Sequence, residues 1–129
     1  MSDYQLKQIN ALIVEDYDVS SMIIKDMLST IGVKSKIATN MEEAISQVKE
    51  SAFDVIFMDI QLGNESGLDV TRKIREMEIK QPLIIACTAN NAITSRDEVI
   101  ESGMDDYLTK PVSIQSFRDM LIKHKIVEG

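Results

Sequence analysis

Phe53-Asp54-Val55-Ile56-Phe57-Met58-Asp59 holds four consecutive apolar residues, two of them β-branched, and ends on a carboxylate. A strand covered on both faces reads as an unbroken apolar run rather than as an alternation, so this stretch predicts an interior strand with Asp59 at its carboxyl end. In open parallel sheets that edge is where ligands bind. Outward from it, Ile9 to Val14 reads as a second buried strand and runs straight into Glu15 and Asp16. Val33 to Ala38 is a shorter strand candidate, Leu83 to Cys87 a fourth that ends at Thr88, and Tyr107-Leu108 a fifth that leads into Lys110-Pro111.

Between these strands the apolar period changes from continuous to three-and-four, the spacing of one helix face. Val19, Met22, Ile23, Met27 and Ile31 predict a helix that Gly32 stops. Asn40 with Glu43 makes a capping-box-like start for a helix through Met41, Ala44, Ile45 and Val48. Val70, Ile74 and Met77 predict a third, Ala92 to Ser102 a fourth with Ile93, Val99 and Ile100, and Ile114, Phe117 and Leu121 a fifth. Gln61 to Gly67 carries Gly63-Asn64 and Ser66-Gly67, and reads as a loop on the strand-end edge. Five β-then-α units without an internal repeat predict an α/β fold with a parallel sheet and right-handed crossovers. The expected organisation is one domain over residues 1–129, with 1–8 as a polar lead-in and no stretch left for an output domain.

The totals narrow the function. A chain of 129 residues can bury about 65–70% of its unfolded surface, enough for a core without staples. With 44% apolar and 27% charged residues, no run approaches the ~20 apolar residues of a membrane span, and no secretory signal pattern opens the chain. The single cysteine, Cys87, lies in an apolar run and fits a small core residue in a reducing cytoplasm. A net charge of -7 opposes nucleic acid and anionic lipid and favours a cation or a protein partner. With one histidine and one cysteine, a zinc site built on several such ligands is excluded. His124, between Lys123 and Lys125, reads as part of a solvated helix face with no catalytic role.

Four strand ends thus bring Glu15 and Asp16, Asp59, Thr88 and Lys110 to one edge. Three converging carboxylates repel one another in a dry site, and a hard divalent cation with oxygen ligands, Mg²⁺ or Mn²⁺, neutralises them. A lysine and a hydroxyl beside it complete a pocket for a compact dianion such as a phosphoryl group. Taken singly each residue has a plainer reading: Asp16 as a helix cap, Thr88 as a strand end, Lys110 as a solvated loop lysine.

The set Glu15-Asp16, Asp59, Gly67 eight residues on, Thr88-Ala89 and Lys110-Pro111 resembles the receiver domain of two-component response regulators, over nearly the whole chain. The Thr88-Ala89-Asn90 run resembles receivers attached to hybrid histidine kinases. The resemblance implies a flavodoxin-like, doubly wound five-stranded sheet of order 2-1-3-4-5 flanked by five helices. It implies that Asp59 is the phosphoacceptor, taking its phosphoryl group from a histidine kinase or histidine phosphotransfer domain. Glu15, Asp16, Asp59 and the backbone carbonyl of Gln61 would hold Mg²⁺, Lys110 would pair with a phosphoryl oxygen, and Thr88 and Tyr107 would switch on phosphorylation. Gln61, Ala89 and Asn90 would modulate phosphate lifetime, and Lys110-Pro111 would be a cis peptide. Such a chain is cytoplasmic, a monomer or weak homodimer, and no stand-alone enzyme, although it catalyses its own phosphorylation and slow dephosphorylation. It departs from the family pattern at Gly63, where receivers commonly carry proline, and at bulky Tyr17. Two other functions fit the fold: a phosphorylation-independent interaction module, and an aspartyl-nucleophile phosphatase. The second needs a carboxylate two residues after Asp59, where Gln61 stands.

Overall fold

The computed structural model describes residues 8–89 and 96–126. Strands and helices alternate as β1 (Ile9–Val14), α1 (Asp18–Thr30), β2 (Val33–Ala38), α2 (Met41–Glu50) and β3 (Val55–Asp59). A ribbon of β4 (Gln61–Leu62) and β5 (Glu65–Ser66) follows, then α3 (Gly67–Arg75), β6 (Leu83–Ala89), α4 (Arg96–Glu101), β7 (Asp106–Lys110) and α5 (Ile114–Lys123). The main sheet has the order β2-β1-β3-β6-β7 with every pairing parallel. Counted without the ribbon this is the expected 2-1-3-4-5. The winding reverses between β1 and β3, so the ends of those two strands flank the switch point where doubly wound sheets bind ligands.

Side chains alternate across a strand, and the continuous apolar runs therefore feed two cores. Leu12, Val14, Ile56, Met58, Ile84 and Ala86 face α2, α3 and α4, meeting Ala44, Val48, Val70, Ile74 and Val99. Ala11, Ile13, Val55, Phe57, Ile85 and Cys87 face α1 and α5, meeting Ile24, Leu28, Phe117 and Leu121. There the Phe57 and Phe117 rings meet edge to face, centroids 4.9 Å apart at 76°. Such a pair adds about 0.5–1.5 kcal/mol to the burial of its surface.

Several local expectations change. On α1, Ile24 and Leu28 pack on the sheet with Met27 and Ile31 half-buried beside them, while Val19, Met22 and Ile23 are 53%, 62% and 48% exposed. The helix carries two apolar stripes offset by about a residue, and the sheet takes the one flanked by small Ser21, whose hydroxyl donates to the Asp18 carbonyl. Asn40 caps α2 by accepting from the Glu43 N–H, but the Glu43 carboxylate reaches back to Thr39, at its N–H and hydroxyl, rather than to Asn40. Residues 61–66, expected as a loop, pair as an antiparallel ribbon around a Gly63-Asn64 turn. Gly63 has φ +64, which a side chain tolerates poorly. β7 extends beyond Tyr107-Leu108 in both directions, and only Arg96 onward of the fourth helix lies in the described residues. His124 is not on a solvated face: its Nε2 lies 2.9 Å from Asp106 Oδ2 at the start of β7. Burial of Phe117, Met120 and Leu121 leaves Ile114 as the exposed member of the apolar set on α5.

Candidate functional site

β1 delivers Glu15 in extended form because the Glu15 N–H continues the ladder by donating to the Ala38 carbonyl at 3.0 Å. Its carboxylate is buried; Oε1 accepts from Lys110 Nζ at 2.9 Å and Oε2 from the Tyr17 N–H at 3.3 Å. Asp16, one residue on, points to solvent. β3 delivers Asp59, half-buried, with Oδ1 accepting from the Gln61 N–H at 3.2 Å and Oδ2 lying 3.5 Å from Lys110 Nζ. Carboxylate oxygens of Glu15, Asp16 and Asp59 fall within 4.8 Å of one another. Three hard oxygen donors in reach of one point, with a single lysine shared between two of them, fit a hard divalent cation.

Close approach at this edge depends on Gly67. A Cβ there would stand 2.1 Å from the Asp59 carbonyl oxygen and 2.9 Å from the Met58 side chain. Glycine alone lets α3 begin directly behind the acidic strand end. The helix start is fixed by Ser66, whose hydroxyl accepts from the Leu68 N–H at 3.1 Å.

Charge follows from these distances. Burial, then the hydrogen bond and charge of Glu15, push the Asp59 carboxyl up to about 7 against the opposing pull of Lys110. Lys110 is itself depressed by burial, but Glu15 and Asp59 outweigh this and hold its ammonium above the ordinary value. Cys87, opposite Asp59 in register, is buried and its thiol is pushed up to about 12. As a proton donor or nucleophile it is inert.

Thr88 and Ala89 end β6 at the same edge, and the Thr88 hydroxyl donates weakly to the Ala89 carbonyl at 3.4 Å. It makes no hydrogen bond to Asp59 or Lys110. Tyr107 is half-buried against the α4 side of the core, with the Arg96 guanidinium 5.6 Å from its ring centroid. The Lys110–Pro111 peptide is cis. The side chain of Gln61 is exposed, and Asn90 lies outside the described residues. The structure thus brings Glu15, Asp16, Asp59 and Lys110 together and leaves Thr88 and Tyr107 on the adjoining strands. The structure adds an exposure to Tyr17, which the sequence had singled out only as bulky, and one contact that the sequence did not signal. Tyr17, 61% exposed, continues the apolar surface of α1 up to Asp16. Glu65 reaches from the ribbon to the α2 N-terminus, its Oε1 accepting from the Met41 N–H at 2.9 Å. An acidic residue before a helix partner 24 positions away carries no local signal.

Known proteins are similar to this chain. The aerobic respiration control sensor protein ArcB of Escherichia coli K12 is 30% identical over 123 residues, covering 94% of this chain. The chain spans 16% of the length of ArcB. Among solved structures, the receiver domain of sensor histidine kinase PA1611 from Pseudomonas aeruginosa PAO1, with a magnesium ion coordinated in its active site cleft, is similar at TM-score 0.81 and 30% identity. That match covers 91% of this chain and 97% of that one. The receiver domain of the response regulator Ssk1 of Saccharomyces cerevisiae, solved with the histidine phosphotransfer protein Ypd1, gives TM-score 0.79 and 31% identity over 90% of this chain and 88% of that one. The family model of the response regulator receiver domain matches residues 11–122. With its sheet order, its acidic strand ends and this match in agreement, the chain belongs to the response regulator receiver domain family of two-component systems.

Proposed function

We propose that Asp59 is the phosphoacceptor of a phosphorelay, receiving its phosphoryl group from a phosphohistidine on a histidine kinase or histidine phosphotransfer partner. The observation that carries this reading is the meeting of Glu15, Asp16 and Asp59 around one shared lysine at the switch point of the sheet. An Asp59 carboxylate oxygen attacks phosphorus, the phosphorus–nitrogen bond breaks, and the imidazole leaves with the bonding pair. The result is an aspartyl phosphate. Glu15, Asp16, Asp59 and the Gln61 carbonyl would hold Mg²⁺ or Mn²⁺, which when bound offsets charge on the transferring group.

This chain's own groups do the rest. The Gln61 N–H holds one Asp59 oxygen and so orients the other toward the opening. Lys110, drawn toward Glu15 at 2.9 Å and Asp59 at 3.5 Å, is within a side-chain swing of a phosphoryl oxygen. The Thr88 hydroxyl would donate to another, and Tyr107 would follow it, turning charge at the edge into shape on the face of α4, β7 and α5. That the partner docks beside the site is supported by Tyr17, Val19, Met22 and Ile23, exposed large apolar residues on and before α1 that begin one residue past Asp16. No helix among the described residues is long and apolar enough to cross a membrane, and the cytoplasm is the compartment this chemistry fits.

Incubation with Mg²⁺ and a small phosphodonor should add one phosphoryl group to the intact mass of the wild type and none to Asp59→Asn. An unmodified wild type sinks the reading. Equal binding of a phosphotransfer partner by wild type and Asp59→Ala, phosphodonor present, points instead to phosphorylation-independent interaction.

A further inference from the structure

Around the acidic site a belt of contacts runs through six elements, from β1 by way of β2, α2, β5 and β4 to β3. The Glu15 N–H donates to the Ala38 carbonyl at 3.0 Å, which ties the end of β1 to the end of β2. β2 continues through Thr39 and Asn40 into α2, whose first residue, Met41, donates its N–H to Glu65 Oε1 at 2.9 Å. Glu65 belongs to β5, which pairs with β4 in the register Leu62 to Glu65 and Gln61 to Ser66. The Gln61 N–H then donates to Asp59 Oδ1 at 3.2 Å and returns the belt to the site. The base of the ribbon is pinned separately, by the Gly67 N–H on the Ile60 carbonyl at 2.7 Å.

We propose that Glu65 is a positioning residue for the divalent-cation site, holding the β4–β5 ribbon against the α2 N-terminus so that the Gln61 backbone faces the three carboxylates. The assignment rests on the reading of Glu15, Asp16, Asp59 and the Gln61 carbonyl as cation ligands. Buried Leu62 fixes how deeply the ribbon sits, but apolar packing is non-directional. The Glu65 bond supplies the direction. It joins an anionic acceptor to a free N–H of the first helical turn, where the helix dipole favours negative charge. The turn it steadies also needs steadying. Gly63 at φ +64 has no side chain to brace it, and its Cβ position lies 3.7 Å from Asp16 Oδ2, so tilting the ribbon moves backbone against a ligand of the site.

The test is titration calorimetry of Mg²⁺ into metal-free wild type, Glu65→Ala and Glu65→Gln, with amide hydrogen exchange at Met41 as a structural readout. Both variants remove the same charge, but the glutamine amide oxygen can accept the Met41 bond. Glu65→Ala should weaken Mg²⁺ binding by roughly tenfold, the lower end of the range for groups behind metal ligands, and should speed Met41 exchange. Glu65→Gln should stay within about twofold of wild type on both measures. Equal affinity of Glu65→Ala and wild type overturns the role, and so does equal weakening in both variants, which would assign the loss to charge alone. Absence of Mg²⁺ binding by the wild type overturns the cation site itself, and this role with it.

Discussion

Asp59 and Asp106 are both shielded strand residues with a lysine in reach, yet their carboxyls stand at about 7 and about 2. Asp59 closes β3 at one edge of the sheet and Asp106 opens β7 at the other. Burial pushes both upward and alone would not give them shifts of opposite sign. Their company does. Asp106 Oδ2 has Lys123 Nζ at 2.8 Å and His124 Nε2 at 2.9 Å, and Oδ1 accepts from the Tyr107 N–H at 2.9 Å. Asp59 has Lys110 at 3.5 Å and shares it with Glu15, which holds the same ammonium at 2.9 Å. One carboxylate has partners on both oxygens, a lysine among them, and braces the fold. The other lies in a cluster of three carboxylates that, among the described residues, has a single lysine in reach.

The sharpest way to break this contrast is to take away the shared cation. Lys110→Met should slow phosphoryl incorporation from a small donor by about 10²–10³-fold, read as the initial rate of the phosphorylated mass species. A rate equal to wild type would mean that Lys110 serves only to neutralise Glu15. The second effect is on stability. Asp59→Asn removes a carboxylate that repels Glu15, and in metal-free protein at pH 8 it should stabilise by about 2–3 kcal/mol in urea unfolding. Because the Asp59 carboxyl is raised in the fold, its contribution is present below the unfolded carboxylate value and is lost as pH rises through about 7. The gain from the variant should therefore shrink toward pH 5. A pH-independent gain would show that Asp59 is not a raised carboxyl. The smallest effect has the opposite sign. Asp106→Asn should cost about 1–2 kcal/mol at pH 7, and the cost should fade as pH falls from 4 through about 2, where a depressed carboxyl gives up its contribution. A constant penalty across that window would assign Asp106 to packing.

The same contrast explains what could be read from the chain alone. Val55-Ile56-Phe57-Met58 and Ala11-Leu12-Ile13-Val14 are apolar at every position and too short for a buried helix, a pattern that fits a strand covered on both faces, so the sheet and the residues at its ends were legible. Asp59, Glu15, Asp16 and Lys110 needed nothing more than that edge. Asp106 could not be found, because its partners Lys123 and His124 arrive from the last turn of α5, and the histidine looked like one more polar residue on a lysine-flanked face. Periodicity also failed on α1. It counts apolar positions without saying which of two adjacent stripes the sheet will take, and Val19, Met22 and Ile23 went to solvent while Ser21 was buried. The ribbon at 61–66 is only two residues a side, too short for any pattern, and exists because its register and the Glu65 bond hold it.

Cys87 gives the molecule a clock of its own. It pairs in register with Asp59, is 2% exposed, and has a thiol raised to about 12, so an alkylating reagent finds neither access nor thiolate while the core under α1 and α5 stays packed. Labelling can proceed only when the packing of α1 and α5 over this face of the sheet opens. The chain's single cysteine therefore reports, without any engineered probe, how often the core behind the acceptor strand is uncovered.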